Sequence, residues 1–234
     1  SKPPEDLADG RVQGAVAIGI YNAYYLLECS KKVPTVIVDW IFPTLVGAGL
    51  DFVEVDGFRG SLQVFEHLLA LGHTRLGMIV NSPLHESGFS RYATDAYRFA
   101  HLKAGLPEDL GRIACGDALP EDGYKAARQL LARGVDRVSA LYFHEGCLPG
   151  VLRAIRELEL EIPRDVSIAT WGGSQAFEAM LPGLTTVKIP VQYVARVAVA
   201  RLLEAIRAQR YHVPTSSIVR ANLGIGATCA PPCR

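Results

Sequence analysis

The sequence predicts an α/β fold with mostly parallel strands. Two observations carry this: short apolar runs rich in β-branched residues recur along the chain, and most intervals between them are long enough for a crossover helix. The candidate strands cover residues 15–20, 35–39, 52–55, 76–80, 112–115, 139–143 and 166–171. With 234 residues, 49% of them hydrophobic, the chain has ample material for a buried core.

The helices follow from spacing. Leu62, Phe65 and Leu69 share one face of the segment 57–71, and Gly72 supplies the left-handed stop after it. Gly105 and Gly134 punctuate the chain in the same way. Val191, Val194, Ala195, Ala198, Leu202, Ala205 and Ile206 form the apolar stripe of another helix, with Arg196, Glu204 and Arg207 off it. Val197 and Val199 add apolar surface outside that stripe, which fits either a subunit interface or an enclosed core helix.

Composition excludes several functions. Lys plus Arg and Asp plus Glu number 24 each, so this chain offers no net positive field to a polyanion. No apolar stretch approaches the roughly 20 residues of a membrane span. The opening Ser1-Lys2-Pro3-Pro4-Glu5-Asp6 lacks the order of a signal peptide, so a cytoplasmic location with no membrane partner is expected. The five cysteines, Cys29, Cys115, Cys147, Cys229 and Cys233, are an odd number and read as reduced structural thiols. Cys229-Ala-Pro-Pro-Cys233 has no partner CxxC or His pair, so no metal is expected.

No catalytic signature is present either. Leu223-Gly224-Ile225-Gly226-Ala227 has suggestive glycines but lies in the final strand region with no helix after it, so no dinucleotide or other cofactor is expected. His144 and Glu145, adjacent at a strand end, point to opposite sides and make a poor acid–base pair. An enzyme is not expected, and no catalytic residue is assigned.

Alternation of strands and helices does not distinguish one doubly wound sheet from two lobes. Three motifs do: Leu71-Gly72-His73-Thr74-Arg75-Leu76, Ile162-Pro163-Arg164-Asp165-Val166-Ser167-Ile168 and Leu181-Pro182-Gly183-Leu184-Thr185-Thr186-Val187. Together they resemble the effector-binding core of LacI/GalR-type transcription regulators. The resemblance implies a two-lobed, periplasmic-binding-protein-like α/β fold, each lobe a mostly parallel sheet flanked by helices, with ligand closing the cleft between them. Its three chain crossings fall near residues 53–56, 186–189 and 215–218. The first lobe then comprises residues 1–54 plus 189–215, and the second 55–188 plus 216–230.

Arg11-Val12-Gln13-Gly14-Ala15-Val16 resembles the third strand region of the family's first lobe, so that lobe is expected to be incomplete. A sheet short of two strands would leave an unpaired edge and an uncovered apolar face. The family's partners are a small-molecule effector, operator DNA reached only through a helix-turn-helix headpiece lying outside these residues, and a second copy in a homodimer. A periplasmic sugar-binding protein of a transport system is the alternative with the same architecture; the wording of the motifs resembles regulators more closely.

The resemblance also nominates effector-binding residues. Arg91, within Ser87-Gly88-Phe89-Ser90-Arg91, matches the family's effector-contacting arginine, and its guanidinium is a rigid fork of donors. Ser82, His85 and Ser87 share its loop. Asp39 ends an apolar run where some members place an acidic contact, and Trp40 beside it offers a stacking face. Two positions depart from the pattern: His144-Glu145 stands where many members have Asn-Asp, and Gly172-Gly173 after Trp171 where they have Asp-Asp. Loss of an acid beside Arg91 favours an anionic or aromatic-stacking effector such as a sugar acid or phosphorylated sugar, with Trp171 as an aromatic wall and Gly172 making room. The opposite outcome is that the glycines form a turn and Glu145 replaces the missing charge.

Overall fold

Burial of the β-branched runs on both faces organises the chain into two units, Ser1–Asp56 with Pro190–Arg220 and Gly57–Ile189 with Ala221–Arg234. The structure, a computed structural model, describes residues 11–19, 23–38, 50–81, 88–132, 134, 137–208 and 211–233.

The first unit begins with β1 (Ala15–Ile18), α1 (Ala23–Ser30), β2 (Thr35–Val38) and β3 (Asp51–Val55). The chain then builds the second unit from α2 (Gly57–Ala70), β4 (Leu76–Val80), α3 (Gly88–Ala104), β5 (Ile113–Cys115), α4 (Pro120–Leu131), β6 (Ala140–His144), α5 (Leu148–Glu157), β7 (Ser167–Gly172), α6 (Gln175–Met180) and β8 (Thr185–Lys188). It returns to the first unit for α7 (Val191–Ala208) and β9 (Ser216–Val219), and ends in the second with β10 (Asn222–Gly224).

The first unit's sheet has the order β1-β2-β3-β9, with every pairing parallel. All four residues of β2 are buried, and Leu26, Ile37, Leu50 and Phe52 pack as one cluster. Asp51, at the start of β3, accepts hydrogen bonds from the Thr215 backbone N–H (3.0 Å) and from His212 Nε2 (2.5 Å). That carboxylate fastens the approach to β9 onto β3. The third crossing expected near 215–218 is therefore corrected: Ser216–Val219 is a strand of the first unit, and the chain leaves that unit only after Arg220.

Two helical stripes also shift. On α7 Val194, Ala198 and Ala205 are the buried residues, while Val191 and Ala195 are exposed; the helix rests its inner face mainly on β1, β2 and β3. Tyr193, Val199 and Leu203 on this helix and Ile218 on β9 are apolar and exposed. On α2 the buried side centres on Ser61, Val64, Phe65 and Leu68, with Leu62 and Leu69 only partly covered, because α3 packs against it from one side. Ser61 is accommodated in that face by a hydrogen bond with the Tyr142 hydroxyl (3.0 Å).

The second unit's sheet has the order β10-β8-β7-β6-β4-β5, parallel throughout except for β10 against β8. Helices α2 and α3 pack together, as do α4 and α5. On the α2–α3 side Phe65 meets Tyr97 and Tyr142 edge-on, with centroids 5.5 and 5.3 Å apart. On the α4–α5 side Leu130, Phe143, Val151 and Ile168 belong to one core. Adjacent residues of β6 thus serve opposite layers, as pleating requires. From β4 the chain runs outward through α3 to β5 and then returns past β4 to β6, so the strand order reverses between β4 and β6.

His73 ties the opposite end of this sheet together. It follows the left-handed Gly72 (φ 94°), is 1% exposed, and bonds through Nδ1 with Ser139 Oγ (2.9 Å) and through Nε2 with Ala230 O (2.8 Å) and Ser167 Oγ (3.1 Å). Burial, the largest influence, pushes its pKa below the ordinary 6.5. His67, whose buried Nε2 has no hydrogen-bond partner among the described residues, is shifted the same way by burial.

Both rings favour the neutral form in the fold, so the unfolded chain takes up protons first as pH falls. Their contribution is fully present above about 6.5 and is lost as pH drops through the depressed native values. Thermal unfolding between pH 8 and pH 5 should therefore show stability falling below pH 6.5, and His73→Gln should flatten that slope while lowering stability at pH 8. Identical slopes in the two proteins would refute the assignment.

Candidate functional site

Parallel sheets leave their strand ends as the accessible backbone, and a reversal of strand order opens a crevice at the carboxyl ends of the strands beside it. Here those ends belong to β4 and β6, with β7 next to β6. Helix α3 starts at the same edge: the backbone N–H of Asn81, just past β4, donates to Ser90 Oγ at 2.9 Å.

That start brings Phe89 against the ends of β6 and β7, with Arg91 in the first turn of α3. Phe89 is buried, with its ring centroid 5.6 Å from Tyr142, 5.9 Å from His144 and 6.1 Å from Trp171. Arg91 is exposed, and its Nε lies 4.0 Å from Asp95 Oδ2, one turn along α3. Such a long, solvated pair holds the guanidinium weakly and leaves its donors accessible.

Strand β6 delivers His144, paired in register with Trp171 of β7. Its Nδ1 accepts a hydrogen bond from the Gly146 N–H (3.1 Å), so in the neutral ring the proton sits on Nε2. Glu145 opens the short helical turn Glu145–Cys147 and reaches the other way, its Oε2 accepting from the Ser174 N–H at 2.9 Å. The two side chains take different hydrogen-bond partners, Gly146 N–H and Ser174 N–H.

Gly172 (φ 141°) and Gly173 (φ 75°) have backbone conformations that disfavour side chains. A Cβ on Gly172 would overlap the Glu145 carboxyl group and lie 2.6 Å from its Cγ. Glu145 thus occupies the place a side chain at the end of β7 would fill. An acid is therefore present at this strand end, supplied by the residue that follows β6.

Trp171 also differs from its expected role. The indole is 7% exposed, enclosed by α2 and Phe89, and a Cβ at Gly60 would lie 2.8 Å from its Cζ3. Only a glycine lets α2 cross it so closely. The indole supports the floor of the crevice instead of standing open as a wall. Asp39, Trp40, Ser82, His85 and Ser87 lie outside the described residues. The sequence reading missed Phe89, which no spacing marks, and Ser174, whose contribution is a backbone N–H.

Two cavities lie away from this edge among the described residues. A groove of about 340 Å³ between α7 and β9 is lined by Tyr193, Val197, Ile218 and the ion pair Arg201–Glu204 (3.0 Å), whose charges satisfy each other. A space of about 30 Å³ beside His73 and Arg137 has room for little more than a water. Among the described residues no three His, Cys, Asp or Glu are grouped to hold a metal, and no helix is long and apolar enough to cross a membrane. The five cysteines are free thiols. Burial pushes the Cys147 thiol up to about 12, which keeps it protonated and unreactive.

Comparison with known proteins places this geometry in context. A family model described as a periplasmic binding protein-like domain matches residues 65–229. The HTH-type transcriptional repressor PurR of Yersinia pestis bv. Antiqua (strain Antiqua) is 28% identical over 185 residues, covering 79% of this chain and 53% of the repressor. The chain therefore spans about half the length of the curated relatives it matches. Among solved structures, a transcriptional regulator CelR–cellobiose complex superposes with a TM-score of 0.85 at 23% identity, covering 96% of this chain and 68% of the other. A LacI family transcriptional regulator from Enterococcus faecium with bound ribose gives a TM-score of 0.80 at 20% identity, covering 97% and 84%.

The mutual exclusion of Glu145 and a side chain at residue 172 is open to a double-mutant cycle. Gly172→Ala should lower stability by about 2–3 kcal/mol through strain and overlap, and by at least about 1 kcal/mol less when Glu145 is already alanine. Denaturant titration of the four proteins reads both numbers; strict additivity would show that the two positions do not compete.

Proposed function

The chain belongs to the periplasmic binding protein-like domain family, and on that premise we propose that it is the effector-binding core of a LacI-type transcription regulator and senses a sugar or sugar-derived small molecule at the carboxyl ends of β4, β6 and β7. One observation supports the proposal: where the strand order reverses, His144 and Glu145 stand at the end of β6 beside the Phe89–Trp171 pair, and Arg91 lies in the first turn of the helix that carries Phe89. Mixed donors and acceptors above an apolar surface suit a molecule with several hydroxyls and an apolar ring face. The class includes neutral sugars and their acid or phosphorylated forms. Cellobiose and ribose are the molecules named with two regulators of this fold.

The remaining parts of the proposal follow from the family. On the family resemblance, Asp39, Trp40, Ser82, His85 and Ser87 are further effector contacts, together with Gly172 and Trp171. Ligand favours one arrangement of the two lobes by its differential affinity, and a homodimer passes that preference to paired helix-turn-helix headpieces on operator DNA in the cytoplasm. The relatives described above are regulators, which favours this reading over a transport receptor.

Arg91→Ala tests the assignment. A charge-assisted hydrogen bond to ligand is worth about 1.5–3 kcal/mol, so affinity for the effector should fall by roughly 10- to 100-fold. Titration calorimetry of both proteins against a panel of mono- and disaccharides with their acid and phosphate forms measures this; unchanged affinity for the molecule that binds would remove Arg91 from the site.

A further inference from the structure

We propose that the small cavity beside His73, at the end of the second unit's sheet opposite the crevice, binds a monatomic anion such as chloride through the guanidinium groups of Arg75 and Arg137. The site is separate from the crevice, and its occupancy does not depend on the sugar-sensing reading.

Two of the three motifs that carry the family resemblance meet here. His73 and Arg75 come from the first, Arg164 and Asp165 from the second, and Arg137 lies just ahead of β6. Their guanidinium groups are linked in sequence. Arg75 Nε donates to Arg137 O at 2.9 Å, Arg137 Nη2 to Asp165 O at 3.4 Å, and Arg164 Nη2 to Asp165 Oδ2 at 3.0 Å. The first two bonds end on carbonyls, which fix the position of a cation without neutralising it.

The charges do not balance. Three arginines and one aspartate line the space, and Glu161, outside the lining, takes Arg164 at 2.8 Å, so three cations less two carboxylates leave one positive charge. Both carboxylates are committed to Arg164, and among the described residues none pairs with Arg75 or Arg137. The Glu161 N–H, which donates to Asp165 Oδ2 at 2.9 Å, and Arg164 hold the Asp165 carboxyl below its ordinary 3.8. Burial favours the neutral ring of His73, which therefore offers no counter-charge.

A guanidinium carries five N–H donors, so Arg75 and Arg137 keep several beyond the one bond each described above. Fixed donors with surplus positive charge around a confined space attract an anion. The volume, about 30 Å³, suits an ion the size of a water and is too small for phosphate or sulfate. Arg75, Arg137 and Asp165 precede β4, β6 and β7, so an anion held there ties together the entries to three neighbouring strands and stabilises the folded chain by binding it selectively.

The test is thermal unfolding with sodium chloride exchanged stepwise for sodium isethionate, a bulkier anion, at constant ionic strength, so that general screening is unchanged. The midpoint should rise saturably with chloride, by about 3–6 °C at ten times the dissociation constant. Arg137→Gln should remove at least about half of that rise, whereas Arg207→Gln, which removes an exposed cation from α7, should leave it intact. A crystal soaked in sodium bromide reads the site without any substitution, and its anomalous signal should lie between Arg75 and Arg137. Absence of a saturable rise, an equal rise in Arg137→Gln, or a cavity without bromide each overturns the inference.

Discussion

A sheet whose strands are covered on both faces keeps only its ends for recognition, and in the second unit that constraint governs everything else. Helices α2 and α3 close one side of the six-stranded sheet and α4 and α5 the other, so both faces of the sheet are taken up by packing among the described residues. The return of the chain from β5 past β4 to β6 then parts the loops at one end. Connectivity opens a crevice there before any particular side chain is considered. The far end of the same sheet is spent on stability, with His73 bridging Ser139, Ser167 and the carbonyl of Ala230.

Close packing then restricts which side chains the crevice can carry. Gly60 lets α2 approach the Trp171 indole, and this enclosure turns an apparent binding residue into a support for the floor. Gly172 admits Glu145 in the same manner. In both places the smallest residue matters through its neighbour, so a reading that treats each glycine as empty space assigns it the wrong consequence.

The architecture was legible where physics is local. Continuous β-branched runs such as Thr35-Val36-Ile37-Val38 become strands because burial on both faces demands them, and Gly72 ends a helix because its φ of 94° suits no other residue as well. Strand β9 was not legible: Ser216 and Ser217 dilute its apolar pattern, and its place beside β3 depends on Asp51, a residue distant in sequence. The α7 stripe looked wider than it is because periodicity reports which side is apolar and not how much sheet lies beneath it. At the site, Arg91 and Glu145 were readable as residue types at strand-to-helix passages. That Glu145 takes the position of an acid on the neighbouring strand was open from sequence, since register and backbone conformation together create the overlap.

The central claim is that ligand is recognised where the second unit's strand order reverses. A crystal structure of the chain soaked with the sugar that binds it tests this most directly. The account predicts ligand density at the ends of β4 and β6, with Arg91 turned toward it. Ligand seated in the groove between α7 and β9 would contradict it.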